Sequence, residues 1–514
     1  MRRSLGSMVG LIFFSILLLT ARSANFENVF VGGGVYFTDA DCYARMTRAR
    51  ICFEHPGSVI RHHDFENFPI GTTPHTTVPL DYLIGALAVA LARATAQPLD
   101  LAGAFVSPIL GLLGGWFFWW WSGRTRMRYR AAALILYAVS PILVHGTELG
   151  RPDHQSLLLL LLLVAICAEC TLHAERSRAW SIVSGAAWGL SLWVSLYEPA
   201  VLLGITLLVY SAWDRRQFLA KHRRTGWLVL AGIVVLAALI ERRPISWPNF
   251  SHYDLSHWSS TIGELTPARI FDPVWLRWCG FFVIATPLLA WTGRKRACVP
   301  PLLLWILPVT FALATWQARW ACYFVLALAI VLPALLRQIE RPVTAWALVI
   351  ISFLPIAAGW SATLQPNEFQ LETQARARLE ALQARAVAVQ LRSGERIPFL
   401  APWWISPALA YWSAQPAVAG SSHEAIAGID DSARFFLSSN FEAAHAIFVR
   451  REARAVVSYD SARLMANSAM IMGTTAPVAP LAQLLDRQPS RVPGYLQLEY
   501  QNGSFKLYRA RKFP

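Results

Sequence analysis

Long apolar runs alternate with short polar segments over the first 361 residues of the chain. A bilayer core about 30 Å thick requires about 20 apolar residues in a helix, and runs near this length recur throughout the region. The pattern predicts a polytopic, all-α membrane domain of about eleven helices. The candidate spans are residues 8–22, 103–121, 131–147, 156–172, 181–196, 198–213, 227–241, 275–291, 300–316, 320–336 and 343–361.

Basic residues predict the orientation of these spans, because short loops rich in arginine and lysine stay on the cytosolic side. Placing all such loops inside puts the N-terminus inside and residues 362–514 outside. Residues 23–102, 146–155, 242–273 and 317–319 then lie on the outer face. The basic residues concerned are Arg124, Arg126, Arg128, Arg130, Arg176, Arg178, Arg215, Arg216, Lys221, Arg223, Arg224, Arg294, Lys295, Arg296, Arg337 and Arg341.

Two apolar stretches need a separate interpretation. Counting residues 79–96 as a span would invert every later loop, so we expect a helix at the outer interface or one that re-enters the protein. The apolar stretch 9–19 follows Arg2 and Arg3. It can be a cleaved signal peptide or a first span, and we favour an uncleaved span because further spans follow.

Composition supports a membrane protein: 55% of the residues are hydrophobic and 15% are charged. A net charge of +15 would suggest nucleic acid as the partner of a soluble protein. Here the basic residues belong to the loops between spans, so no nucleic-acid partner is expected.

The last part of the chain changes character. Residues 370–391 have apolar positions at helical spacing, and short apolar runs at 446–449, 455–458 and 495–500 are separated by turn residues. This pattern predicts a small mixed α/β extracytoplasmic domain over residues 362–514. Residues 1–361 then form the transmembrane domain.

Three acidic residues in different outer loops, Asp41, Asp153 and Glu264, are the main candidates for chemistry. Carboxylates brought together at a membrane surface suggest a divalent-cation site. Each residue also has a structural interpretation. Asp39 and Asp153 can cap helices, and Asp41 then lies in a first helical turn, where the helix dipole favours a negative charge.

Neighbouring polar residues leave further alternatives open. His154 follows Asp153 and can be a metal ligand or a solvated interfacial side chain. Arg319, the only charge between two apolar spans, can extend to lipid headgroups or hold a phosphate. His55, His62, His63, Asp64 and His75 match no closed zinc-ligand spacing, so no zinc site is expected among them.

Several motifs resemble those of the catalytic subunit of oligosaccharyltransferase, a family of C-type glycosyltransferases. Asp39-Ala40-Asp41-x-Tyr43 resembles its first acidic motif, and Gly150-x-x-Asp153-His154-Gln155 resembles its second. Thr261-Ile262-Gly263-Glu264 has the form of its Thr-Ile-x-Glu motif. Arg319 with Tyr323 resembles the element that contacts the donor pyrophosphate.

Two positions depart from the family pattern. The third position of the second motif is Gln155, a weak neutral ligand, where the family has Asp, Glu or His. The acceptor motif Trp-Trp-Asp-Tyr-Gly corresponds to Trp403-Trp404-Ile405-Ser406-Pro407. Because Ile405 replaces its aspartate, the resemblance supports the donor half of the reaction better than recognition of an asparagine sequon.

The resemblance implies a metal-dependent glycosyltransferase at the extracytoplasmic face of the cell membrane. It would move a sugar or oligosaccharide from a polyprenyl (pyro)phosphate to a protein or glycan acceptor. Asp41, Asp153 and Glu264 would be catalytic and, with His154, would bind Mg²⁺ or Mn²⁺; Arg319 would bind the donor phosphate, and Trp403 and Trp404 the acceptor. Asp39, Gln155 and Tyr323 are further candidates. The alternatives are a C-type transferase with a monosaccharide lipid donor and a lipid, glycan or hydroxyl acceptor, or a non-catalytic transporter or scaffold.

Overall fold

A computed structural model describes residues 2–213, 218, 220–242, 253–295 and 299–511. Arg215, Arg216, Arg296 and part of the predicted outer loop 242–273 therefore lie outside the described residues. The first helices are α1 (Arg2–Arg22), α2 (Phe26–Val29), α3 (Ala40–Glu54), α4 (Pro79–Leu91), α5 (Pro98–Arg124), α6 (Arg130–Val139), α7 (Pro141–His145), α8 (His154–Ala174), α9 (Arg178–Val194), α10 (Tyr197–Trp213) and α11 (Lys221–Glu241). These are followed by α12 (Tyr253–Ser259), α13 (Val274–Cys279), α14 (Phe282–Lys295), α15 (Pro301–Trp316), α16 (Ala321–Leu336), α17 (Pro342–Leu364), α18 (Glu368–Leu391), α19 (Ser406–Ser413), α20 (Ile426–Leu437), α21 (Phe441–Arg450), α22 (Ser461–Ile471) and α23 (Leu481–Arg487).

The chain divides into two compact units, each built from separate stretches of sequence. The first unit contains residues 1–26, 103–240 and 264–367. The second contains residues 27–102, 241–263 and 368–514. A single boundary at 361/362 was expected, whereas residues 27–102 and 241–263 pack in the same unit as residues 368–514.

The centre of the first unit is α16, whose residues are buried almost without exception. A helix that is apolar on all sides is stable only when other helices surround it. Accordingly, α6, α7, α8, α14 and α15 all pack against α16. This arrangement holds the N-terminal ends of α8 and α16, where the candidate residues lie, on one packed scaffold.

Five helices in the described part of the chain are long and apolar enough to cross a membrane, which makes this a multi-pass membrane protein. They are α5, α8, α11, α17 and the segment Ala318–Leu336 that contains α16. Most of the apolar surface of α11 and α17 is exposed. Such a surface is expected to face lipid.

Two predicted spans, 131–147 and 275–291, are not continuous helices. The first breaks at Ser140, because Pro141 has no N–H to continue the hydrogen-bond ladder. The second breaks at Gly280, whose φ of +59° ends α13. The apolar stretch 79–96 forms α4 with only 13 residues. At 1.5 Å per residue it is about 20 Å long, too short to cross a bilayer core.

The second unit contains six strands: β1 (Phe30–Val31), β2 (Gly34–Val35), β3 (Phe399–Leu400), β4 (Ala455–Ser458), β5 (Leu496–Asn502) and β6 (Phe505–Ala510). Four of them form a sheet in the order β3-β4-β6-β5. Strand β3 pairs parallel with β4, and the other pairs are antiparallel. Strands β1 and β2 form a separate hairpin.

The main core of this unit forms where helices cover the sheet. Its buried residues include Leu400, Val418, Phe435, Phe436, Phe448, Val456, Leu464, Leu481, Leu485, Leu496 and Tyr508. The pattern of β4, where all four residues are buried, is typical of a strand covered on both faces. The C-terminal residues thus have mixed α/β structure.

Candidate functional site

The second acidic motif lies at the N-terminal end of α8. Asp153 is the N-cap residue, and its side chain accepts a hydrogen bond from the His154 backbone N–H at 2.6 Å. The same oxygen, Oδ1, lies 2.6 Å from Nδ1 of His154. The capping interpretation of Asp153 is confirmed. Capping fixes the position of this carboxylate at the N-terminal end of the helix.

The backbone before Asp153 is held by buried groups of other helices. Gly150 has a φ of +73°, which favours glycine, and its N–H donates to the carbonyl of Ala104 at 2.9 Å. The N–H of Leu149 donates to the carbonyl of Arg22 at 2.8 Å. Ser107 donates to the carbonyl of Arg151. These bonds position the turn that presents Asp153.

Arg22 organises the same region, although it ends a predicted span and had no assigned role. It is buried, and its guanidinium donates to Thr147 Oγ1 at 2.8 Å and to the carbonyl of Ala138 at 3.0 Å. A buried cation is stable only when such partners satisfy its donors. In the sequence, Arg22 is an arginine that follows an apolar run. Such an arginine more often lies at the membrane interface, so its position alone did not indicate a buried role.

Gln155 connects the second and third acidic motifs. Its side-chain amide Nε2 donates to Oε2 of Glu264 at 3.1 Å. Glu264 lies in a short 3₁₀ helix, Gly263–Leu265, and is partly buried. Gln155, considered from sequence as a weak ligand, thus acts in this structure as a hydrogen-bond donor that orients Glu264.

Backbone hydrogen bonds bring the segment after Glu264 beside the segment that carries Arg319. The N–H of Ala268 donates to the carbonyl of Ala314 at 3.2 Å, and the N–H of Ala318 donates to the carbonyl of Thr266 at 2.8 Å. Arg319 follows directly, in the 3₁₀ turn Ala318–Trp320. The segment that begins at Glu264 and the segment that carries Arg319 are therefore neighbours within the first unit.

Arg319 forms an ion pair with Glu198, a residue that the sequence interpretation missed. Glu198 lies in the first turn of α10, and its side chain is only 1% exposed, against 18% for Arg319. Glu264 and Asp153 also act electrostatically on the guanidinium, after Glu198. The signal available in the sequence was a carboxylate at the edge of a predicted span, since such residues are usually paired or functional.

Two hydrogen-bond donors beside this ion pair are left unused. Nε of Arg319 and the hydroxyl of Tyr323 are buried, and neither has a hydrogen-bond partner among the described residues. Buried donors without partners are costly, and such groups commonly mark a place where a ligand binds. Donors of this kind fit phosphate oxygens, which only accept hydrogen bonds.

The first acidic motif belongs to the second unit and begins α3. Asp39 is the N-cap residue, and its carboxylate accepts from the Cys42 N–H at 2.9 Å. Asp41 lies in the first turn and is exposed. The structure thus confirms the expected capping role of Asp39. The Asp41 carboxylate therefore lies at the positive end of the helix dipole, where a negative charge is favoured.

Aromatic and ionic contacts fix α3 in the second unit. The hydroxyl of Tyr43 accepts from the Phe37 N–H at 3.0 Å, and its ring packs against Tyr411 and Trp412. Burial raises the pKa of Tyr43 well above its ordinary value, so this phenol stays neutral. On the same helix, Arg45 forms a buried ion pair with Asp81 of α4 at 3.0 Å.

Trp403 and Trp404, the candidate acceptor-binding residues, use their indole N–H groups inside the second unit. Trp403 donates to Asn467 at 3.0 Å, and Trp404 donates to the Tyr459 hydroxyl at 2.5 Å. Both side chains remain partly exposed. Any contact with an acceptor would therefore use their ring surfaces and not their N–H donors.

A small apolar cluster anchors the residues just before Glu264. Trp258 is buried and packs edge-on against Trp403, with ring centroids 5.7 Å apart. Ile262 packs on the same cluster, which also includes Ile429. The sequence analysis did not select Trp258. It could have been recognised as an aromatic residue near Glu264 in a mostly polar segment.

The residues of the first unit fit a hard divalent cation. Asp153 and Glu264 offer carboxylate oxygens and Gln155 an amide oxygen, which are ligand types that Mg²⁺ and Mn²⁺ prefer. Within this unit, the structure brings together Asp153, His154, Gln155, Glu264, Arg319 and Tyr323, with Glu198 added.

Solved structures resemble this chain in fold. The archaeal oligosaccharyltransferase AglB from Archaeoglobus fulgidus, in complex with an inhibitory peptide and a dolichol-phosphate, matches 99% of this chain and 75% of its own, at 15% identity and a TM-score of 0.69. The match to a complex of the Archaeoglobus fulgidus oligosaccharyltransferase with Zn and sulfate covers 90% of this chain and 70% of that chain, at 15% identity and a TM-score of 0.66. ArnT from Cupriavidus metallidurans, bound to undecaprenyl phosphate, matches 98% of both chains, at 15% identity and a TM-score of 0.51.

No protein-family model matches the sequence, and no curated protein is detectably similar to it. At 15% identity, the likeness to solved structures establishes the fold. The chain has the fold of the C-type glycosyltransferases, and the resemblance inferred from its motifs is confirmed at that level.

Proposed function

We propose that this protein is a metal-dependent glycosyltransferase that uses a polyprenyl (pyro)phosphate sugar donor at the extracytoplasmic face of the membrane. The observation that carries the proposal is a series of hydrogen bonds. Gln155, beside Asp153 and His154, donates to Glu264, and Ala318, beside Arg319, donates to the carbonyl of Thr266. The fold, shared with a dolichol-phosphate complex and an undecaprenyl phosphate complex, supports a lipid-linked donor.

The donor phosphate would bind beside Arg319 and Tyr323. Both contribute a buried donor that has no hydrogen-bond partner in the described part of the chain. Glu198 holds the guanidinium in place, and charge-assisted bonds to the leaving phosphate would stabilise the negative charge that develops on it. A lipid-linked donor also accounts for a site among apolar helices.

Asp41, Asp153 and Glu264 are the proposed catalytic carboxylates, with His154 as an additional metal ligand. A bound Mg²⁺ or Mn²⁺ would neutralise charge on the leaving group. Asp153 is fixed as a helix cap, and Gln155 orients Glu264 to polarise the acceptor nucleophile. The role of Asp41 rests on its motif and on its exposed position at the start of α3.

The acceptor is proposed to be a protein or glycan, with Trp403 and Trp404 beside it. Ile405 cannot accept a hydrogen bond through its side chain, so it cannot read a sequon hydroxyl as an aspartate would. This observation favours a second candidate, transfer of a single sugar from a lipid donor to a lipid, glycan or hydroxyl acceptor.

The test is transfer activity of the full chain with total polyprenyl-linked sugars from its own cells. The variants Asp41→Asn and Glu264→Gln should each abolish transfer while membrane insertion and elution from a sizing column stay unchanged. Activity should also disappear with a chelator and return with Mg²⁺ or Mn²⁺. Full activity in both variants would disprove the proposal.

A matched comparison separates the two candidate acceptors. Glycoproteins, glycolipids and glycans are compared between cells with and without the gene. Loss of a protein-bound glycan supports the first candidate, and loss of a sugar from a lipid or polysaccharide supports the second. An unchanged set of products, together with no transfer in vitro, favours a transporter or scaffold.

A further inference from the structure

Two histidines and a glutamate of the second unit form a cluster outside the proposed catalytic residues. His75 lies in the segment between α3 and α4, and His423 and Glu424 lie in the 3₁₀ turn His423–Ala425. One possible ligand atom from each residue lies within 4.8 Å of the others. His75 and Glu424 are 349 positions apart in sequence, so local spacing could not reveal this set.

The distances suit one small cation. Nδ1 of His75 lies 2.8 Å from Oε1 of Glu424, and Nδ1 of His423 lies 3.5 Å from Oε2. Two ligands of a tetrahedral zinc ion, with bonds of about 2.0–2.1 Å, are about 3.4 Å apart. The two measured separations bracket this value, so shifts of less than about 1 Å would bring both pairs into ligand geometry.

The carboxylate and its surroundings are already positioned. The backbone N–H of His75 donates to Oε1 of Glu424 at 2.7 Å, an outer hydrogen bond of the kind that orients metal-binding carboxylates. The side chain of Glu424 is 11% exposed and that of His75 is 39% exposed. The cluster is therefore half-sheltered and remains reachable from solvent on the side of His75.

The segments that carry the two halves of the cluster are also joined by other bonds. The N–H of Phe68 donates to the carbonyl of Ala417 at 3.1 Å, and the N–H of Ala417 donates to the carbonyl of Phe65 at 3.0 Å. The N–H of Ser421 donates to Glu66 at 3.0 Å. Because these bonds fix both segments, little conformational entropy remains to be lost when a metal binds.

We propose that His75, His423 and Glu424 bind one Zn²⁺, with water as the fourth ligand, and that the ion fastens the segment before α4 to the C-terminal part of the second unit. Imidazole nitrogens select zinc over Mg²⁺, which prefers an all-oxygen octahedron. The ion proposed for catalysis would be held mainly by carboxylates with one imidazole, whereas this ion would have two imidazole ligands and one carboxylate.

The test uses the full, untagged chain in detergent, stripped with a chelator and then kept in excess Mg²⁺ so that the carboxylate-rich catalytic site is filled. Zn²⁺ affinity is measured by competition with a chromophoric chelator. The wild type should take up one Mg²⁺-resistant equivalent. His423→Gln and Glu424→Gln should each weaken its binding at least tenfold, whereas His55→Gln, an exposed histidine before α4, should leave it unchanged. Co²⁺ should give the visible absorption of a tetrahedral site in the wild type.

The outcomes are separable from the transferase proposal. Glu264→Gln should keep the Mg²⁺-resistant zinc, and its loss in that variant would overturn the present inference. Wild-type protein that takes up no zinc, or cluster variants that bind it as the wild type does, would also overturn it. If a cluster variant does not fold, the Co²⁺ spectrum of the wild type decides.

Discussion

Removing Arg319 should destabilise the protein and strongly lower its rate of transfer, and the two effects can be separated by a second substitution. Glu198 is almost fully buried and its partner Arg319 is 18% exposed, so the carboxylate depends on the pair more than the guanidinium does. Leaving a buried charge without its partner costs about 3–5 kcal/mol. At about 2 °C per kcal/mol for a unit of this size, Arg319→Met should lower Tm by roughly 6–10 °C.

Glu198→Gln should have a smaller effect, about 1–2 kcal/mol, because water and the nearby Glu264 and Asp153 can still stabilise the cation. The double variant Arg319→Met/Glu198→Gln contains neither charge. Its Tm should return to within a few degrees of the wild type. The double-substitution cycle then gives the coupling between the two residues.

Transfer activity should follow a different order. Loss of a donor that stabilises charge in the transition state typically lowers the rate about 10²–10³-fold. Arg319→Met and the double variant should both lose this much, while Glu198→Gln retains most activity. Tm is measured in detergent with and without donor lipid, and Arg337→Met, an exposed arginine, is the control.

Two results would refute this reasoning. If the double variant recovers both Tm and transfer, Arg319 has only a structural role and does not bind the donor. If Arg319→Met unfolds at the wild-type temperature, the ion pair does not stabilise the buried Glu198.

Three further predictions use other parts of the molecule. Gln155→Glu places a second carboxylate beside Glu264, so the Tm of the variant should be a few degrees below that of the wild type without metal. Mg²⁺ should then raise the Tm of the variant more than that of the wild type. Equal increases in Tm on adding Mg²⁺ would contradict a metal at this position. At Gly280, φ is +59° and an added Cβ would lie 1.7 Å from the Ser352 carbonyl oxygen. Gly280→Ala should therefore lower the free energy of unfolding by more than about 3 kcal/mol. Gly359 has open space around it, so Gly359→Ala should fold normally, and the yield of monodisperse protein in detergent compares the two variants. Burial raises the pKa of the Glu66 carboxyl in the folded protein above its value in the unfolded chain. The protonated carboxyl therefore stabilises the folded state fully below the unfolded pKa, and this stabilisation is lost as pH rises through the folded pKa. Glu66→Gln should raise Tm at pH 8, and the Tm difference from the wild type should vanish near pH 4.

The sequence alone was sufficient for the membrane class, several helix boundaries and the candidate motifs. Apolar runs report burial or lipid contact wherever they occur, so α5, α8 and α17 could be located without coordinates. Capping is equally local: Asp39 and Asp153 precede helices and accept from N–H groups within three residues. The interruptions at Ser140 and Gly280 were missed because a hydropathy pattern continues across a break in the helix.

Only the tertiary structure revealed partners from distant parts of the chain. Glu198 was assigned to a span, and nothing near it in sequence indicated Arg319 as its partner. The sequence presents Gln155 as a weak ligand, whereas in the structure it donates a hydrogen bond to Glu264. His75 lies beside Glu424, although the two residues are 349 positions apart. Side-chain chemistry and local hydrogen bonding are properties of a short segment. The pairing of charges and ligands depends on packing, which brings together residues whose separation in sequence carries no information about their distance in space.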